Sequence, residues 1–93
     1  MTESPEDSFL KHALALEYIK LGNDVAAKEL FETLLAKEPG YVGSYYHLGK
    51  LLERNNEIEE AIKIYETGME EAKIAGEKNA YGELRGAYEE LVM

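Results

Sequence analysis

The chain has no cysteine. Disulfides and thiolate metal ligands are therefore excluded, and a reducing, cytoplasmic setting is expected. Basic residues are scarce: ten Lys and Arg stand against nineteen Asp and Glu, for a formal net charge of -9 at pH 7. That balance suits neither a phosphate backbone nor an anionic membrane surface, so neither nucleic acid nor membrane is expected as a partner. No apolar run approaches the roughly 20 residues needed to span a bilayer. The first seven residues are acidic and polar, where a signal peptide would show a basic start and an apolar stretch. There is no glycine-rich phosphate loop and no nucleophile motif. The two histidines, His12 and His47, have no His-x-x-x-His spacing and no cysteine to complete a zinc site. Catalysis, cofactors and metals are thus not expected.

What is present is a folded composition. The chain is 45% hydrophobic over 93 residues, enough for one small domain with a modest core. The excess acidity serves solubility. Glu59 and Lys63 stand four apart and Glu70 and Lys73 three apart, so the acidic runs read as solvated helix faces rather than catalytic carboxylate pairs.

The dominant pattern is a period of 34 residues. Leu14 recurs as Leu48, Ala27 as Ala61 and Phe31 as Tyr65, while Ala15 becomes Gly49 and Tyr18 becomes Leu52. A fixed period of this size marks stacked helix-turn-helix units. Ser4-Pro5-Glu6 has the order of a cap, a first-turn proline and a first-turn acid, with Ser8 as a second possible cap. Leu10, Leu14, Tyr18 and Leu21 then recur at helical spacing. Gly22-Asn23-Asp24 is a turn. The second helix carries Ala27, Leu30, Phe31, Leu34 and Leu35 and ends at Pro39-Gly40. In the next unit Ser44 is the expected cap, and Tyr45, Leu48, Leu51 and Leu52 form the stripe. Asn55-Asn56 replaces the glycine turn, since asparagine tolerates left-handed backbone angles. The fourth helix carries Ile58, Ala61, Ile62, Tyr65 and Met69. Lys73 stands where the period would place a proline, so this helix is expected to run on to Ile74 or Ala75 and stop at Gly76. A fifth helix from Lys78 or Asn79 places Tyr81, Leu84, Tyr88 and Leu91 on one face. Two extra residues in the preceding turn bring Tyr81 under Tyr45 and Leu84 under Leu48. Gly82 and Gly86, four apart, read as close helix approach.

These residues resemble the tetratricopeptide repeat family, whose pattern is Trp, two residues, Leu-Gly, two residues, Tyr, then Ala, three residues, Phe, and finally Pro. The second unit gives Tyr45-x-x-Leu48-Gly49-x-x-Leu52 and Ala61-x-x-x-Tyr65; the first gives Leu14-Ala15-x-x-Tyr18, Ala27-x-x-x-Phe31 and Pro39. Lys11 stands at the tryptophan position, which implies a first helix exposed on its outer side. The resemblance implies an all-α, right-handed superhelical stack of antiparallel helix pairs, five helices in all. Residues 1–7 would form a tail and residues 8–93 a single domain, with repeat one at 8–41, repeat two at 42–75 and a capping helix at about 78–92.

The function implied is protein-protein interaction, with a partner peptide or helix seated in the concave groove. By helical spacing Phe9, His12, Leu16, Tyr46, Lys50, Asn79 and Glu83 line that groove, with Gly43, Gly82 and Gly86 leaving room on the same side. Some family members clamp C-terminal carboxylates with Lys, Arg and Asn. Here His12, Leu16, Lys50, Asn79 and Glu83 occupy the matching places, so that ligand is disfavoured. The alternative is structural self-association as a homodimer or larger oligomer, because two and a half units fall short of the three such stacks usually need.

Overall fold

The computed structural model describes residues 7–93. They form five helices: α1 (Ser8–Lys20), α2 (Asp24–Lys37), α3 (Gly43–Arg54), α4 (Ile58–Ala75) and α5 (Lys78–Val92). No strand occurs among the described residues. The chain divides between Pro39 and Gly40 into two compact units. The first holds the α1–α2 hairpin. In the second, α4 packs on both α3 and α5.

The helix starts depart from the sequence reading at two places. The expected Ser4-Pro5-Glu6 start lies outside the described residues. Ser8 is the first residue of α1 rather than its cap; Asp7 caps it, its carboxylate accepting from the backbone N–H of Phe9 at 2.8 Å and of Leu10 at 3.3 Å. A carboxylate there satisfies orphan donors and also meets the positive end of the helix dipole. Ser44 is likewise not a cap. The turn at Tyr41-Val42 already leads into α3, through Ser44 N–H to Tyr41 C=O and Tyr45 N–H to Val42 C=O, both 3.2 Å. This carries Ser44 inside the helix, where it is fully buried.

The three tight turns share one geometry. Gly22, Asn56 and Gly76 all have left-handed backbone angles, with φ of 79°, 64° and 73°. After each, the next N–H reaches back five residues: Asn23 to Tyr18 and Glu57 to Leu52 at 2.8 Å, and Glu77 to Ala72 at 2.9 Å. The left-handed residue itself donates to Ile19, Glu53 and Lys73 respectively. This is the Schellman motif, which satisfies carbonyls that a helix end otherwise leaves orphaned. The α2–α3 connection, with Pro39, is built differently.

Packing inside the second unit rests on close approach. A Cβ on Gly49 would stand 2.2 Å from the Tyr65 ring, so α3 and α4 touch through this glycine. A Cβ on Gly68 would stand 2.7 Å from Tyr45 Cβ and 3.0 Å from Leu84 Cδ1. One small residue thus admits helices on both sides of α4. The buried row of α4 is Ala61, Tyr65, Gly68 and Ala72, whereas the expected Ile58, Ile62 and Met69 are half-buried. Tyr45, Leu48, Leu51, Leu52 and Leu84 are buried as their spacing predicts. Burying a side chain of this size is worth about 1.5–3 kcal/mol.

In the first unit the expected α1 stripe is corrected. Leu10, Leu14 and Leu21 are exposed, and Ala15 is the fully buried residue of α1. Ala15 is enclosed in the hairpin, while Leu14 borders a cleft with α2 and stays half exposed. Ala27, Phe31, Leu34 and Leu35 of α2 are buried.

Candidate partner-binding surface

The residues expected to line a groove divide between the two units. In the first, Phe9 is 64% exposed at the start of α1. His12 and Leu16 are half-buried. The His12 ring meets Phe31 edge-on, with centroids 5.9 Å apart, so it packs the hairpin as well as facing outward.

In the second unit, α3 carries the densest arrangement. Tyr46 and Lys50 are one helical turn apart, and the Lys50 ammonium lies 5.7 Å from the Tyr46 ring centroid. On the other side Lys50 Nζ is 3.8 Å from Glu53 Oε2. That same oxygen accepts from the Tyr65 hydroxyl at 2.5 Å. Tyr65 is fully buried. Burial, the bond to Glu53 and the nearby carboxylate charge together hold its phenol well above the usual tyrosine range. A half-exposed ion pair such as Lys50–Glu53 adds little stability. Its effect is positional: the ammonium is held over an aromatic face by an anion anchored to the core.

His47 joins this surface, although sequence reasoning set it aside as an ordinary histidine. Its ring meets Tyr46 edge-on at 5.8 Å. Burial lowers its pKa from 6.5, and the charge of Glu83 on α5 acts in the opposite direction. Adjacency to Tyr46 was the available signal. Glu53 and Tyr65 left none, since Tyr65 reads from the period as a core residue alone. Asn79 is exposed in the first turn of α5, and Glu83 is exposed one turn further on. Cβ atoms on Gly82 and Gly86 would meet open space, so these glycines do not mediate close approach of the packed helices as their spacing predicts.

Among the described residues no group of three or more His, Cys, Asp or Glu is arranged to hold a metal ion. No described helix is long and apolar enough to cross a membrane.

The family profile for the tetratricopeptide repeat matches residues 18–73. A tetratricopeptide repeat domain protein from Salinibacter ruber, solved by crystallography, is 42% identical, with a TM-score of 0.88 over 91% of this chain and 94% of that one. A solution NMR structure of such a protein from the same organism is 43% identical, with a TM-score of 0.91 over 97% and 91%. The chain belongs to the tetratricopeptide repeat family. Its role is accordingly of the general protein-interaction or scaffold kind, and its fold is typically non-catalytic. Two curated relatives are aspartyl/asparaginyl beta-hydroxylases, 33% identical in Mus musculus and 32% in Homo sapiens, each over 66 residues. The match covers 71% of this chain but 9% of those proteins, so the hydroxylase activity named there is that of far longer chains.

Proposed function

We propose that the α3 face centred on Tyr46 and Lys50, with Glu83 of α5 nearby, seats a segment of a partner protein. The observation that carries this reading is the Lys50 ammonium held between the Tyr46 ring and Glu53. An aromatic anchor beside a positioned cation is an arrangement on which binding energy concentrates. Lys50 favours an acidic or carboxylate-bearing group on the partner, acting as a point charge rather than a fork. His47, neutral at pH 7, adds an edge that can donate or accept a hydrogen bond.

The test starts from a partner captured with the intact chain and identified by mass spectrometry, then titrated against wild type, Tyr46→Ala and Lys50→Ala. Tyr46→Ala is expected to cost roughly 2 kcal/mol or more. If a variant shown by circular dichroism to be folded binds as tightly as wild type, this face is not the site. The same titration with Phe9→Ala tests the first-unit part of the expected groove.

A further inference from the structure

The α1–α2 hairpin presents a second surface, on the flank of α1 beside its buried Ala15. Leu10, Leu14, Tyr18 and Leu21 recur along one face of α1, and the three leucines are exposed. Leu14 and Tyr18 meet Ala26, Glu29, Leu30 and Thr33 of α2 around a cleft of about 250 Å³. Leu21 and Val25, at the turn beside it, are about three-quarters exposed. Apolar side chains grouped in this way mark an interaction surface rather than scattered surface residues.

The second unit shows what covers such a row. In the register that allows two extra residues before α5, Leu84 takes the repeat position of Leu14, and it is buried. Its Cδ1 reaches α4 at Gly68, where a Cβ would come within 3.0 Å. The covering element is therefore a helix that presents small residues, Gly68 and Ala72, one turn apart. We propose that the outer face of the α1–α2 hairpin is a docking site for such a helix supplied by another polypeptide. The docking helix carries Gly or Ala at four-residue spacing on its contact face and Lys or Arg beside it to meet Glu29. A second copy of this chain fits poorly. Its own small-residue helix is already enclosed between α3 and α5, and each copy brings a net charge of -9. A helix laid along an apolar cleft is a recurrent mode of recognition.

The probe is a synthetic peptide with the sequence of α4, Ile58–Ala75, carrying E66K and E70K. It is titrated into the isotope-labelled intact protein and followed by NMR. Shift changes are expected at Leu10, Leu14, Tyr18 and Leu30, with affinity at least tenfold weaker for the protein variant Leu14→Glu. Leu14 is half-exposed, so that variant is expected to fold, and its dispersed spectrum shows that it does. A peptide that also carries G68L should lose binding. The proposal is overturned if the peptide leaves the α1–α2 resonances unmoved or perturbs Tyr46 and Lys50 instead. It is equally overturned if the G68L peptide binds as well. Concentration-dependent dimerisation of wild type that Leu14→Glu abolishes would identify the occupant as a second copy and also refute it.

Discussion

Gly68 and Tyr45 are in contact at a distance no other residue at position 68 would permit: a Cβ there would stand 2.7 Å from Tyr45 Cβ. Tyr45 Cβ is fixed to its backbone, so it cannot swing aside as a side-chain tip would. Gly68→Ala gains about 0.8–1 kcal/mol of helix propensity and meets an overpacking cost of typically 1–3 kcal/mol. The clash is expected to win, giving a lower urea midpoint. Gly82→Ala and Gly86→Ala, where a Cβ meets open space, should raise the midpoint. A Gly68→Ala variant as stable as wild type would mean that α3 and α4 can separate freely.

Leu48→Ala should cost about 2–5 kcal/mol, the usual effect of emptying a buried leucine site. Leu14→Ala, at the same position one period earlier, should cost less than about 1 kcal/mol. Leu48 is 1% exposed and Leu14 46%. Thermal melts of the two variants measure the difference directly, and equal losses would contradict the exposure of α1.

Tyr65 contributes to the response to alkali, alongside Tyr45 and Tyr88, whose phenol pKa values are also raised. Its folded-state pKa lies above the usual value of 10.0, so the folded chain keeps a proton that the unfolded chain releases. Stability from this group is full below pH 10 and falls as pH rises further, by up to about 1.4 kcal/mol per pH unit. Denaturation followed from pH 9 to pH 11 should show that decline, and Tyr65→Phe should make it shallower, the remainder coming from Tyr45 and Tyr88. At pH 7 the same substitution removes a bond to a charged acceptor, a loss of about 1.5–3 kcal/mol.

Deleting residues 77–93 strips α5 from α4 and exposes Gly68, Ala72 and their apolar surroundings. The shortened chain is expected to aggregate or dimerise. Sedimentation velocity decides the point; a monomer with unchanged helicity per residue would show that α5 is dispensable.

The turns were the most legible part of the fold. Gly22, Asn56 and Gly76 were each readable as reversals because few residues accept a left-handed backbone. The buried face of α5 was legible too, since Leu84 is enclosed where its helical spacing puts it. Position within a repeat is what a period encodes; neighbours are not. Leu14 and Leu48 are equivalent in the sequence and differ in exposure for that reason. Gly68 was overlooked because a glycine in a helix interior carries no hydrophobic signal, although two helices meet on it. Of the candidate surface, Tyr46 and Lys50 were legible from their spacing. The link through Glu53 to the buried Tyr65 hydroxyl joins two helices, and no local pattern announces it.

The three Schellman turns bear on how fast the chain finds its structure. Each reversal closes through bonds spanning at most six residues, so none waits for a distant segment to arrive. Helix pairs joined this way have low contact order, and chains rich in such contacts fold in microseconds to milliseconds. Closing a loop of this length takes on the order of 10–100 ns. A hairpin that has come apart can therefore start again from its own turn, long before the rest of its unit has reassembled.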